Sequence, residues 1–271
     1  MPFFIRLIIK TIHWLNEPKR MQVAQSIIGF IFKRSGKTFN RTVNNIQQAM
    51  PDSVHQQAEQ LAIKSYQQIA YGVLEMFWLN ELAVEVVCSS EVSEIIHQQR
   101  GAVIATLHMN CYDVVPLAVQ KISGRSTTLS KIPQFYPQAI QIYQDVGIRC
   151  INKSDKNVIF QLVSEAKNGQ LVSLHADHYA TDVAIEFFNR ATRAASGVAL
   201  ISAMAQVPLL LGYAVKQGEG KYQVILEVLQ AQPLARDISQ IEQAIKQMYQ
   251  RFEKIILQYP EQWYWSYNRW R

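Results

Sequence analysis

A chain of 271 residues holds one large domain or two small ones, and with 49% apolar and 10% aromatic residues it buries a substantial core, which excludes a disordered chain. Charged residues are scarce at 18%, and 27 Lys and Arg against 21 Asp and Glu leave a formal charge of +6, which suits anionic partners: acidic lipid headgroups, nucleic acid or an acidic carrier protein. Cys88, Cys111 and Cys150 have no CxxC spacing, which excludes a disulfide framework and fits a reducing compartment.

The chain opens on PFFIRLIIKTIHWL. Arg6, Lys10 and His13 recur at i, i+4 and i+7, so they line one face of a helix whose remaining surface is apolar. It is too short and too charged to span a bilayer, and a basic stripe with Trp14 at its edge suits a helix lying in the membrane interface. The segment has neither the charged start nor the small-residue cleavage site of a signal peptide. A second helix is predicted over 21–33, then a basic stretch, KRSGKTFNR, and a longer helical region over 53–81 bounded by Pro51-Asp52.

The grammar then changes. Short β-rich runs occur at 102–107, 171–176, 183–188, 208–215 and 222–229, with helical stretches near 114–121, 138–145, 157–167, 196–206 and 238–257. Strands alternating with helices predict an α/β fold: a single domain with a central, partly parallel mixed sheet flanked by helices, plus N-terminal helices. The division expected is 1–40 for membrane-associating helices and 41–271 for the α/β domain. Residues 194–215 carry no charge for 22 positions, long enough for a transmembrane span. Ser196, Ser202 and Gln206 interrupt the run and Pro208 divides it, so it reads as a core helix followed by a buried strand.

The strand GAVIATL ends at His108, and Asp113 follows five positions later. With Asp113 as N-cap of the next helix, Pro116 occupies the third helical position, where no backbone N–H is required. Asp113 is then expected to fold back onto the imidazole, fixing its tautomer so that the outer nitrogen deprotonates a hydroxyl. His175, Asp177 and His178 with His108 offer an alternative, a metal-dependent hydrolase, although Ser173 stands where such a site would want a further histidine. Cys111 lies near enough to His108 for a thiol–imidazole pair, but a small apolar filler is the simpler reading. Twelve tyrosines and the basic charge would suit nucleic acid, yet no nucleic-acid-binding motif is present and the basic residues are scattered, so no nucleic-acid partner is expected.

His108 with Asp113 resembles the His-x4-Asp/Glu motif of the glycerolipid acyltransferase superfamily, and within it the chain is similar to the bacterial lipid A biosynthesis (late) acyltransferases. NNIQQAMP (44–51), QLVSLHAD (170–177), IEFFNRATRAASGVAL (185–200) and PEQWYWSYNRWR (260–271) resemble that family's blocks in the same order. The resemblance implies transfer of a fatty acyl group from an acyl-carrier-protein or coenzyme A thioester to a hydroxyl of a lipid or glycolipid. It implies His108 and Asp113 as the catalytic pair, no cofactor, and a peripheral or monotopic place on the cytoplasmic face of a bacterial inner membrane. Lys131, Asp177, Asn189, Arg190, Arg193 and Gly197 are the candidate substrate contacts, and Phe187 and Phe188 are candidates for an acyl channel. The chain departs from the family at Asn110 and Asn189, where glycines are usual, and at Tyr267-Asn268 in place of a His-Arg pair. It also lacks the usual arginine in the helix before the second strand, where Gln141, Tyr143 or Gln144 stands and Lys131 or Arg149 can substitute.

Overall fold

A computed structural model describes residues 11–134 and 137–271. Its centre is a seven-stranded sheet of β1 (Ala83–Cys88), β2 (Ala102–Thr106), β3 (Ser126–Ser130), β4 (Arg149–Asn152), β5 (Leu171–His175), β8 (Leu209–Gly218) and β9 (Lys221–Gln230). The strand order is β1-β9-β8-β2-β5-β3-β4, and every neighbouring pair is parallel except β8 with β9. A separate antiparallel hairpin joins β6 (Tyr179–Glu186) to β7 (Ala191–Ala194). This is the expected mixed, mostly parallel sheet within one α/β domain.

The apolar runs are explained by two buried faces. Along β2 every residue is buried, with Val103 and Ala105 in one core cluster and Ala102 and Ile104 in the other. Strand β8 alternates likewise, Leu209 and Leu211 against Leu210. The charge-free run forms the helix Gly197–Ala205 and then β8, divided where Gln206 takes a left-handed φ of +57° ahead of Pro208. The other helices expected in the α/β part are Val114–Ser123, Ile140–Gln144, Val158–Lys167 and Ile238–Gln258. Strands β1, β3, β4 and β7 and the helix Ser90–His97 were not expected: all are short, and β1, although Val-rich, is largely exposed or half-buried.

Ahead of the sheet lie the helices Glu17–Arg34, Gly36–Ala49 and His55–Glu75. Gly36–Ala49 occupies what read only as a basic stretch, and the region expected over 53–81 ends as a helix at Glu75, continuing as 3-10 turns with Trp78 at φ −133°. Glu17–Arg34 lies on His55–Glu75, with Phe32 stacked on Tyr66 at 3.9 Å and the Arg20 guanidinium 4.6 Å from the Trp78 ring. Its outer side exposes Val23, Ile27, Phe30 and Ile31. Arg6 and Lys10 of the amphipathic N-terminal stripe lie outside the described residues; His13, which is described, places Nε2 2.7 Å from Glu81.

Candidate active site

Strands β2 and β5 run parallel and in register, with Thr106 opposite His175. Two residues further on, His108 and Asp177 therefore leave adjacent strand ends side by side. Asp177 Oδ1 lies 2.6 Å from His108 Nδ1, while Oδ2 accepts from the His108 backbone N–H at 3.1 Å and from Trp263 Nε1 at 2.8 Å. Asp177 is 1% exposed. Burial opposes its charge, but the facing His108 and the hydrogen bonds outweigh that and hold the carboxyl well below the usual carboxylate range. The imidazole thus has its orienting carboxylate on Nδ1, leaving Nε2 for a substrate.

Asp113 does not make the contact expected of it. It stands at the N-cap position before Val114–Ser123, but in helical backbone (φ −74°, ψ −4°), and its side chain caps nothing. Its Oδ1 accepts instead from the Tyr143 hydroxyl at 3.0 Å, and Oδ2 has no partner among the described residues. Burial pushes this carboxyl up to about 6, against the lowering effect of the Tyr143 hydrogen bond and of the His108 charge. Asp113 is 1% exposed, and the side-chain hydrogen bond it makes is with Tyr143 rather than with the imidazole.

The loop after His108 is pinned from behind. Asn110 takes a left-handed φ of +45°, a conformation Asn tolerates better than most residues, which accounts for a glycine being usual there. A Cβ on Gly72 would lie 2.2 Å from the Asn110 carbonyl carbon, so the His55–Glu75 helix reaches this loop only through glycine. Asn110 also donates from its backbone to Gln262 O at 3.0 Å, and its side chain bonds that of Gln262. Beneath lie Glu75, 1% exposed, with its salt bridge to Lys216 and a hydrogen bond from Tyr222. Cys111 is fully buried there and burial pushes its thiol well up, which removes the thiol-nucleophile reading.

Two rings stack in turn on His108. His178 lies face to face with His108 at 3.8 Å and 4°, and Tyr267 covers the far side of His178 at 3.8 Å and 9°. Burial, then the His108 charge, lowers His178 to about 4, and the same causes hold His175 well below its usual value. His175 Nδ1 is 2.6 Å from Thr106 Oγ1. Ligand atoms of His108, Asp177 and His178 lie within 4.8 Å of one another. Parallel stacked imidazoles, however, direct their lone pairs in parallel planes rather than towards one ion, and Asp177 already accepts from three donors. Of the four residues proposed for a metal, the fold gathers three, in a geometry made for a hydrogen-bonded pair.

A cavity of about 510 Å³ opens beside His108. One wall is apolar, with Leu129, Ile159, Leu162, Leu174, Val198 and Ile201, and Lys131 and Lys153 stand among the polar lining residues. Gly197 borders it at the first turn of Gly197–Ala205. Lys131 and Gly197 line this cavity, and Asp177 is engaged with the imidazole. Asn189 is in the β6–β7 turn at φ +55°, a backbone that suits the glycine usual at that position. The Arg193 guanidinium binds Thr181 O and Asp182 O of its own hairpin. Arg149 is taken up by Glu165 at 3.2 Å. Phe187 and Phe188 do not line the cavity. They pack in an aromatic cluster with Tyr249, Trp263, Trp265 and Trp270. Sequence reasoning missed Trp263, Lys153 and the Tyr267 stack, and named Tyr143 only as standing where an arginine is usual; the aromatic-rich tail was the available signal for Trp263 and Tyr267.

Residues 3–271 match the family described as bacterial lipid A biosynthesis acyltransferase. No curated protein matches the chain.

Proposed function

We propose, since this chain belongs to the bacterial lipid A biosynthesis acyltransferase family and is an acyltransferase acting on a lipid acceptor, that His108 is the general base for direct transfer from a thioester. Asp177 holds the proton on Nδ1, so Nε2 takes the proton of an acceptor hydroxyl as its oxygen attacks the thioester carbonyl. The tetrahedral intermediate collapses with cleavage of the C–S bond, and the imidazolium returns its proton to the departing thiolate. Asp113, ionised above about pH 6, adds a second negative charge that the imidazolium feels without contact. The observation that carries this reading is the 2.6 Å His108–Asp177 contact at the mouth of a cavity with one apolar wall.

That wall suits the acyl chain. The first-turn amides at Gly197 and Val198, which have no intrahelical acceptor, suit the oxyanion. Lys131 and Lys153 suit an anionic donor, an acyl-carrier-protein or coenzyme A thioester. A glycolipid hydroxyl is the proposed acceptor. The proposed location is the cytoplasmic face of the bacterial inner membrane, peripheral or monotopic. No helix among the described residues is long and apolar enough to cross a membrane. The exposed face of Glu17–Arg34, flanked by Lys19, Lys33 and Arg34, has the apolar and cationic character of an interfacial helix. The test is His108→Ala in purified protein with labelled acyl donor and lipid extract. A folded variant should lose about 100- to 10,000-fold in transfer rate, and wild-type transfer would refute the assignment.

A further inference from the structure

One row back along the strands from the His108–Asp177 pair lies a second cross-strand pair, Thr106 with His175. Partners in register on parallel strands point to the same face of the sheet, and Thr106 Oγ1 lies 2.6 Å from His175 Nδ1. The His175 ring is 4.6 Å from that of His108, centre to centre, and borders the same cavity. Tyr112 meets both imidazoles edge to face, 4.8 Å from each. The general-base step makes no use of this second histidine.

Thr106 sets which nitrogen of His175 carries the proton. The threonine is fully buried, and among the described residues its hydroxyl meets no hydrogen-bond partner other than His175 Nδ1. A hydroxyl has one proton to place. With Nδ1 as acceptor that proton is satisfied, and the imidazole proton sits on Nε2. With Nδ1 as donor the hydroxyl proton is buried without an acceptor, which is costly. The first arrangement is therefore the stable one. Burial, then the His108 charge, keeps the ring neutral. His175 thus presents a neutral N–H at the cavity, and no hydrogen bond engages Nε2 among the described residues.

We propose that His175 is a second catalytic residue, whose Nε2–H donates a hydrogen bond to the thioester carbonyl oxygen as that oxygen becomes an oxyanion. This rests on the acyl-transfer reading at His108 and extends it. When the acceptor oxygen attacks, its proton passes to His108 Nε2 and the carbonyl π electrons move onto oxygen. His175 donates to that oxygen without giving up its proton. On collapse the electrons re-form the carbonyl, the C–S bond breaks, and the thiolate takes the proton from His108. A donor fixed before the reaction needs no reorganisation, and its bond strengthens as charge develops. Its neutrality matters as well, because a second cation 4.6 Å from the imidazolium formed at His108 would oppose that charge. The first-turn amides at Gly197 and Val198 border the same cavity and act beside it.

The test uses the full-length chain, labelled palmitoyl thioesters of acyl-carrier protein and of coenzyme A, and a lipid extract as acceptor. His175→Phe keeps a ring without the donor. Its kcat should fall by at least about tenfold, towards the roughly 100- to 1,000-fold lost with one oxyanion donor, with KM little changed because the bond forms in the transition state. Gln places an amide N–H near the Nε2 position, whereas Asn places its polar atoms near Nδ1. His175→Gln should therefore recover about tenfold over His175→Phe, and His175→Asn should not. A smaller fall in folded His175→Phe, or recovery by Gln no better than by Asn, overturns the proposal. Nitrogen-15 spectra of the wild type give a readout that needs neither variant nor turnover. A neutral His175 with its proton on Nε2 is expected, and a proton on Nδ1 overturns the proposal. That tautomer should persist in His108→Ala. If His108→Ala kept acyl transfer, the general-base assignment would fall, and the His175 series would still report on the oxyanion donor.

Discussion

Replacing Asp177 with Asn tests the catalytic pair at its most specific point. The wild-type carboxylate accepts three hydrogen bonds, from His108 Nδ1, the His108 backbone N–H and Trp263 Nε1. An Asn has one acceptor oxygen and one NH2 group in the same space. If the oxygen faces the backbone and indole donors, the NH2 faces Nδ1. Nδ1 must then be unprotonated, the proton moves to Nε2, and the nitrogen offered to the hydroxyl is no longer a base. In the opposite orientation the tautomer survives, but the NH2 meets two N–H donors, each left unsatisfied at a cost of roughly 1–3 kcal/mol. The first orientation is favoured, so the variant folds with the wrong tautomer. Transfer should fall by the general-base factor, about 100- to 10,000-fold, with donor binding little changed. Single-turnover transfer from labelled acyl donor, alongside a thermal melt, reads both quantities. The melt has a signed pH dependence. Because the Asp177 carboxyl is held below its ordinary value, its charge stabilises the fold above about pH 4, a contribution lost as pH falls through the folded value. The stability gap between wild type and variant should therefore narrow in acid. Transfer within a few-fold of wild type in a folded Asp177→Asn protein would refute the pairing.

Asp113→Asn should show the reverse stability profile. With the folded carboxyl pushed up to about 6, the wild type loses roughly 2–3 kcal/mol as pH rises from 4 to 7, since the unfolded chain ionises first. Asn keeps the acceptor for Tyr143, so the variant should gain on wild type across that range by denaturant melts; a flat difference would show that Asp113 is not strained by burial. Phe30→Asp with Ile27→Asp, on the exposed face of Glu17–Arg34, should reduce cosedimentation with anionic vesicles several-fold, whereas unchanged binding would place the membrane contact elsewhere. Cys111→Ala should cost about 1 kcal/mol or less of stability and keep most of the transfer activity, because its thiol is buried and protonated; an inactive, folded variant would contradict that placement.

Much of the fold was legible because its signals are local. Runs such as AVIAT and LLLGYAV are nearly all apolar, as strands buried on both faces require, and Pro208 cut a 22-residue charge-free run in two. Strands STTLS and RCIN carry no such signal, since their burial comes from neighbours distant in sequence. In the candidate site the chain by itself placed His108 at a strand end, Asp113 and Pro116 at the start of a helix, and an aromatic tail that resembles a family signature. It could not choose the partner of the imidazole. His-x4-Asp is a spacing along one segment, and proximity in sequence favoured Asp113. Asp177 stands 69 residues from His108, and the two meet only because β2 and β5 pair in register, Thr106 opposite His175. Strand pairing depends on contacts across the whole sheet. The tertiary fold alone sets which carboxylate reaches Nδ1.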